Sequence, residues 1–284
     1  MIKLTVRLIA VVAISILVGL GWVGGAAAAG AVNISTCQIL SGGNTTYKVT
    51  ADLNSNNDDF CLVVAADKIT IDLQGHTITG NGAGVAGISD AENSFDVVTV
   101  KNGTVTGYLI GIFLAFSTRV SVLAVTATEN FVVGIWTGDQ GLVKSSTATF
   151  NLEGGIVVGD RSQVQQCTAN NNGSSGSGSG IVALDNCLLT MNTTNDNAEE
   201  GIATGSNCTV SFNTANNNGD DGIDVGADGD LGGTGSLVTQ NTAVGNADND
   251  YHVACPSTVT YNTSSGAATS YNLEGPGCHV GNNN

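Results

Sequence analysis

Basic residues are scarce. The 284-residue chain holds 8 Lys and Arg against 24 Asp and Glu, a net charge of −16. Such a balance repels nucleic acid and anionic membranes. It also disfavours polyuronates unless a divalent cation bridges the two. Leucine is too sparse for a leucine-rich repeat. Outside the N-terminal segment no window shows an apolar helical period, which argues against helical domains. The cysteine spacings fit no zinc pattern, and no second apolar run is long enough to cross a membrane.

The one long apolar run lies in residues 1–29, which read as a secretory signal. Lys3 and Arg7 form its basic start, Leu8 to Leu20 its apolar core, and Ala27-Ala28-Ala29 a small-residue cleavage site. Cleavage makes the mature chain more acidic still, places it outside the cell or on its surface, and leaves no membrane insertion.

What the chain has in abundance is a spaced pair. Gly-Ile recurs at Gly87-Ile88, Gly111-Ile112, Gly134-Ile135, Gly155-Ile156, Gly180-Ile181, Gly201-Ile202 and Gly222-Ile223, and an eighth copy is degraded to Asp250-Tyr251. A fixed period of this length marks a solenoid whose repeats bury their apolar faces against one another. Asn130, Asn151, Asn197, Asn218 and Asn246 stand five residues before the Ile or Tyr of their copy. Asn102, Val125, Ser146, Asn192, Asn213 and Asn241 stand ten before. Two coils are four residues longer. One puts Cys167 in that third column and carries Gly173 to Ser179 as an external loop; the other puts Gln74 there. Runs such as Val120-Ser-Val122 and Thr209-Val-Ser-Phe212 alternate with period two and read as short strands. Three strands and three bends suit each repeat, and stacked Asn amides form ladders. The expected fold is all-β: a single-stranded right-handed parallel β-helix of about eight or nine coils, each about 4.8 Å above the last. Residues 30–72 would form the N-terminal cap and first coil, 73–265 the helix, and 266–284 a C-terminal cap or tail.

Seven cysteines in an exported chain suggest disulfides and one leftover thiol. Cys37 and Cys61 are candidates to staple the N-terminal cap, and Cys255 and Cys278 the C-terminal one. Cys187 and Cys208 each precede a third-column Asn by five residues, so they should stack on adjacent coils within bonding reach. Cys167 is the odd one.

The segment from Cys37 to Ile88, with "CLVVAADKITIDLQGHTITGNG", resembles the opening of secreted bacterial right-handed β-helix repeat proteins. Later copies such as "CTVSFNTANNNGDDGIDV" resemble their repeat unit. These proteins belong to the pectin-lyase-like superfamily, and the resemblance covers nearly all of the mature chain. It implies the fold; the superfamily's roles range over lyases, hydrolases, epimerases, phage spikes and adhesins. The run Gly219-Asp-Asp-Gly-Ile-Asp224 is similar to a polygalacturonase motif, which would put Asp220 and Asp221 in acidic catalytic positions. The chain departs from that family in lacking its Gly-His-Gly coil and Arg-Ile-Lys strand, and its preceding coil offers Glu199-Glu200.

If each Ile points inward, the next residue points outward. That outward row runs Ser89, Phe113, Trp136, Val157, Val182, Ala203, Asp224, His252. The bend before it carries Glu153, Glu199, Asp220 and Asp248 in one column, and Glu200, Asp221 and Asn249 in the next. Equivalent carboxyls lie about 5 Å apart on neighbouring coils and about 10 Å apart on alternate ones, which brackets the spacings of retaining and inverting glycosidases. Crowding raises carboxyl pKa values, as a general acid requires. The candidate catalytic set is Glu200 and Asp221 with Asp224 and His252. The competing reading is calcium held by Glu199, Asp220 and Asp248, joined by Asp228 and Asp230; a third is that the acids simply fill exposed bends. Phe113 and Trp136 are candidates to stack on sugar rings. The face offers no Lys or Arg base in its acidic half, which disfavours a lyase. The sequence thus points to a secreted or surface-associated protein that engages extracellular polysaccharide, by binding or cleavage, with no cofactor required beyond calcium. The alternative is a non-catalytic structural or adhesive module. Oligomeric state is left open.

Overall fold

The structure is a computed structural model that describes residues 30–55, 59–226 and 234–284. Residues 1–29, which read as a secretory signal, and the acids Asp228 and Asp230 lie outside the described residues. Every pairing between strands is parallel, and each strand bonds to the strand one coil away. The chain is a β-solenoid with three faces. The first runs through strands such as Thr70–Asp72, Leu142–Lys144 and Thr209–Ser211. The second carries the Gly-Ile pairs and has 11 strands among the described residues. The third includes Thr147–Thr149, Thr214–Asn216 and Thr242–Val244. Eight or nine coils is therefore too few. The coils at Leu62 and Tyr271 lack the Gly-Ile signature yet pair in register with Ile88 and Tyr251. Residues 266–284 likewise continue the sheets through Thr269–Glu274 and His279–Gly281.

Inward rows make the core. Ile88, Ile112, Ile135, Ile156, Ile181, Ile202, Ile223 and Tyr251 stack in one column and are buried. The glycine before each isoleucine has a steric cause. A Cβ on Gly134, Gly180, Gly201 or Gly222 would stand 2.5–2.7 Å from the Nδ2 of the ladder Asn one coil on. The ladder is continuous from Asn130 through Asn151, Asn172, Asn197 and Asn218 to Asn246. Each Oδ1 accepts both the backbone N–H and the Nδ2–H of the Asn before it, at 2.9–3.1 Å. Asn172 escaped the five-residue rule because the Gly173–Ser179 insertion separates it from Ile181. The degraded copy at Asp250 ends the ladder, since its carboxylate accepts the Asn246 Nδ2–H at 2.8 Å.

A second ladder joins Asn192, Asn213, Asn241, Asn262 and Asn283. Asn102 and Gln74 are not in it. They are exposed residues at bends with positive φ, and the column position beside Val125 belongs to Gly103. Gly103 is required there, because a Cβ would run into Leu73. Ser162, Cys187, Cys208, Ser236 and Ser257 share a further column, in which the backbone N–H groups of Cys187, Cys208 and Ser236 donate to the side chain one coil on.

Disulfides join Cys37 to Cys61 and Cys255 to Cys278, with Cα separations of 4.4 and 5.0 Å. Cys187 and Cys208 stack as expected but stay unbonded. The Cys187 N–H donates to the Cys208 Sγ at 3.3 Å, so the Cys208 sulfur takes the role that a serine hydroxyl takes elsewhere in the column. Cys167 is a third buried thiol, pushed by burial up to about 11. Among the described residues no helix is long and apolar enough to cross a membrane.

Candidate functional site

The second face sets Ser89, Phe113, Trp136, Val157, Val182, Ala203, Asp224 and His252 in one hydrogen-bonded register. Parallel pairing aligns them because one coil separates each from the next. The row divides in two. At the N-terminal half Phe113 meets Trp136 edge-on at 5.5 Å and Phe116 at 5.8 Å. Phe113 and Trp136 are half-buried, and Phe116 is exposed at the rim.

At the other half the acids converge, but they are not an open patch. Glu200, Asp221, Asp224 and His252 are 5%, 2%, 5% and 6% exposed. Outward direction on a strand does not guarantee exposure: carboxylates from neighbouring coils close around the His252 ring. Asp221, at the bend before Ile223, reaches to the next coil. Its Oδ2 stands 3.1 Å from His252 Nδ1, and its Oδ1 accepts Asn249 N–H and Nδ2–H at 2.8 and 2.7 Å. Asp224 flanks the same nitrogen at 3.9 Å. On the far side of the ring, Glu274 Oε1 lies 3.3 Å from Nε2. Burial works against the His252 imidazolium, but Asp221, Asp224 and Glu274 outweigh it and hold its pKa up at about 9.

Glu200 shares a column with Asp221 but not a partner. It turns back to the preceding coil, where the Ser179 hydroxyl donates to Oε2 at 2.6 Å. Burial raises its pKa; the Ser179 bond opposes that, and the charges of Glu199 and Asp220 add to it. The proposed calcium acids divide likewise. Asp220 and Asp248 bring carboxylate oxygens within 4.8 Å of one from Asp221. Glu199 instead accepts the Gly178 N–H at 3.1 Å. The oxygen set around Asp220, Asp221 and Asp248 has the hard-donor chemistry of a calcium site. Asp221, Asp224 and His252 form the other compact group, and it contains a nitrogen donor.

Sequence reasoning missed Glu274 and Ser179. Glu274 is two residues past Asn272, the register partner of His252. Extending the period one coil beyond Tyr251 to Tyr271 would have found it.

Neither a comparison with protein-family models nor one with curated proteins gives a match. Solved structures do. The mannuronan C-5 epimerase AlgE6 A-module of Azotobacter vinelandii superposes with a TM-score of 0.62 at 16% identity, over 89% of this chain and 88% of its own. The periplasmic alginate epimerase AlgG gives 0.57 at 14% identity, over 84% of this chain and 67% of its own. Pectate lyase Pel9A gives 0.57 at 15% identity, over 86% and 65%. At these identities the likeness is one of fold, and the chain shares the parallel β-helix fold of these neighbours.

Proposed function

We propose that the protein is exported and engages an extracellular polysaccharide along its second face. One observation carries this reading: a single register runs from the Phe113–Trp136 aromatic pair to the Asp224–His252 end. An extended glycan can follow such a row, with apolar ring faces against the aromatics and hydroxyls toward the carboxylates. Fold neighbours that act on mannuronan, alginate or pectate support a polysaccharide ligand. The two disulfides suit an oxidising compartment.

If the face turns substrate over, the roles follow from the partners. Asp221 holds the ring of His252 through Nδ1, which leaves the buried Nε2 toward half-exposed Glu274. Glu200, whose burial favours its neutral form, is the group suited to donate a proton. Calcium at Asp220, Asp221 and Asp248 would neutralise the outer carboxylates and permit an anionic glycan.

The test is a panel of neutral and acidic polysaccharides, with and without calcium, read by affinity electrophoresis and by release of reducing or unsaturated ends. Binding that is lost in Trp136→Ala supports the reading. End-group release that disappears in Asp221→Asn and Glu200→Gln makes it enzymatic. Absence of any interaction across the panel overturns it.

The burial of all four candidate catalytic side chains, each with partners inside the fold, favours a second reading. In it the cluster braces the last coils of a non-catalytic structural or adhesive module. That reading expects a silent panel and a melting temperature raised by calcium.

A further inference from the structure

The third face carries an order that neither reading uses. Its first outward position is threonine on nine successive coils, from Thr77, Thr104, Thr126 and Thr147 onward to Thr263, each paired in register with the next. Two residues along, a second row begins Thr79, Thr106, Thr128 and Thr149 and continues with Asn170, Asn195 and Asn216. Neither row contains a charged residue from Thr77 to Ser265. Between the rows the chain turns small residues inward, among them Ala127, Ala148, Ala169, Ala215 and Ala243.

β-Propensity alone does not produce this. Threonine suits any solvated strand surface, and so would fill all three faces alike. The matching outward row of the first face instead reads Thr99, Ser121, Leu142, Gln163, Leu188, Thr209. The second face reads Ser89, Phe113, Trp136, Val157. Among these outward rows, the third face's alone repeats one side chain over nine successive coils.

Its spacing is two-dimensional. Strands stacked in register repeat about every 4.8 Å across the face, and residues two apart repeat about every 6.7 Å along it. Threonine's β-branched side chain is stiff at χ1, so each position presents a methyl and a hydroxyl in a fixed orientation. The result is an uncharged, preorganised lattice of alternating methyls and hydroxyls, widest at the four Thr-x-Thr coils from Thr77 to Thr149. Its two repeats lie close to those of the oxygen positions on a prism face of hexagonal ice. A charged surface keeps its own hydration shell. This one can instead hold water in a regular array that continues into a crystal.

We infer that the third face binds ice. The site is independent of the second face and of any glycan. The experiment freezes the full mature chain slowly onto a cold finger beside serum albumin, and measures partition into the ice and thermal hysteresis of the solution. The wild type is expected to enter the ice several-fold more than albumin and to shape growing crystals. The double variant Thr126→Tyr, Thr147→Tyr should lose at least tenfold of that partition while keeping the wild-type circular dichroism and melting temperature. Thr258→Tyr, on the first face, should keep it. If the double variant fails to fold, Thr126→Lys serves in its place, since a lysine stem can reach solvent from a half-exposed position. Wild-type partition equal to albumin overturns the inference. So does retention in the folded third-face variants, or binding through this face to microcrystalline cellulose or chitin without any to ice.

Discussion

Asp90→Asn is expected to stabilise the protein above pH 6 and to leave it unchanged near pH 4. Asp90 follows the strand Ala86–Ser89, and Ser89 pairs with Val63 on one side and Phe113 on the other. The next position therefore falls in the inward row of Val64 and Leu114, both fully buried. The carboxyl has no solvent exposure. Its Oδ2 accepts the Phe116 N–H at 3.1 Å and the Ser117 hydroxyl at 3.0 Å, while Oδ1 is buried without a hydrogen-bond partner. Burial raises its pKa from 3.8 to about 6 against those two bonds. A raised pKa means that the neutral form fits the fold better. The associated stability is complete below the unfolded value and is lost as pH rises through about 6. Two pKa units correspond to about 3 kcal/mol. An asparagine keeps the shape and an acceptor for Phe116, and it carries no charge at any pH. Urea unfolding of wild type and variant at pH 4 and pH 7.5 measures the difference directly. The variant should gain about 3 kcal/mol at pH 7.5 relative to pH 4. Parallel pH profiles for the two proteins would refute a buried, ionising Asp90.

The other expectations concern the ladders, the glycine column, the thiols and His252. Asn197→Ala leaves the N–H and Nδ2–H of Asn172 unpaired in the interior, which should cost about 2–6 kcal/mol in chemical unfolding, from about 1–3 per orphaned group. Gly201→Ala puts a methyl 2.6 Å from Asn218 Nδ2 and from the Gly222 carbonyl, and should destabilise by about 1–3 kcal/mol. Cys187→Ser and Cys208→Ser should shift stability by less than about 1 kcal/mol, because serine already fills the same column at Ser162 and Ser236. Thiol labelling of the native wild type should be slow at all three free cysteines and fast once it is unfolded. His252→Gln should remove a loss of stability that the wild type shows as pH rises from 6.5 through about 9, since the native fold binds that proton more tightly than the unfolded chain. Melting curves across that range decide it.

Much of the architecture was legible because the solenoid repeats its constraints. The Gly-Ile pair marks where a ladder amide and the glycine of the next coil leave no room for a Cβ beside an inward isoleucine. Such a constraint recurs wherever the ladder does, so it survives as a sequence period. Where it lapses, so does the signal. Leu62 and Tyr271 stand in the same column with no glycine before them, and the coil count fell short there. Offsets counted from isoleucine also misplaced Asn102 and Gln74. A one-residue difference in a bend moves a side chain from the inside of a strand to the outside.

Residue spacing by itself determined which acids would become neighbours. Stacking in register brings Asp224 beside His252 and puts Asp221 one coil from Glu200 and Asn249, as the offsets require. Only the tertiary structure decided what those neighbours do. Whether Asp221 turns toward His252 while Glu200 turns back to Ser179, whether the cluster is buried, and whether Cys187 bonds Cys208 all depend on rotamers and on how neighbouring coils close over a face. A period fixes the position of a Cα along the axis. It says nothing about side-chain torsions, and hydrogen bonds and burial are settled by those.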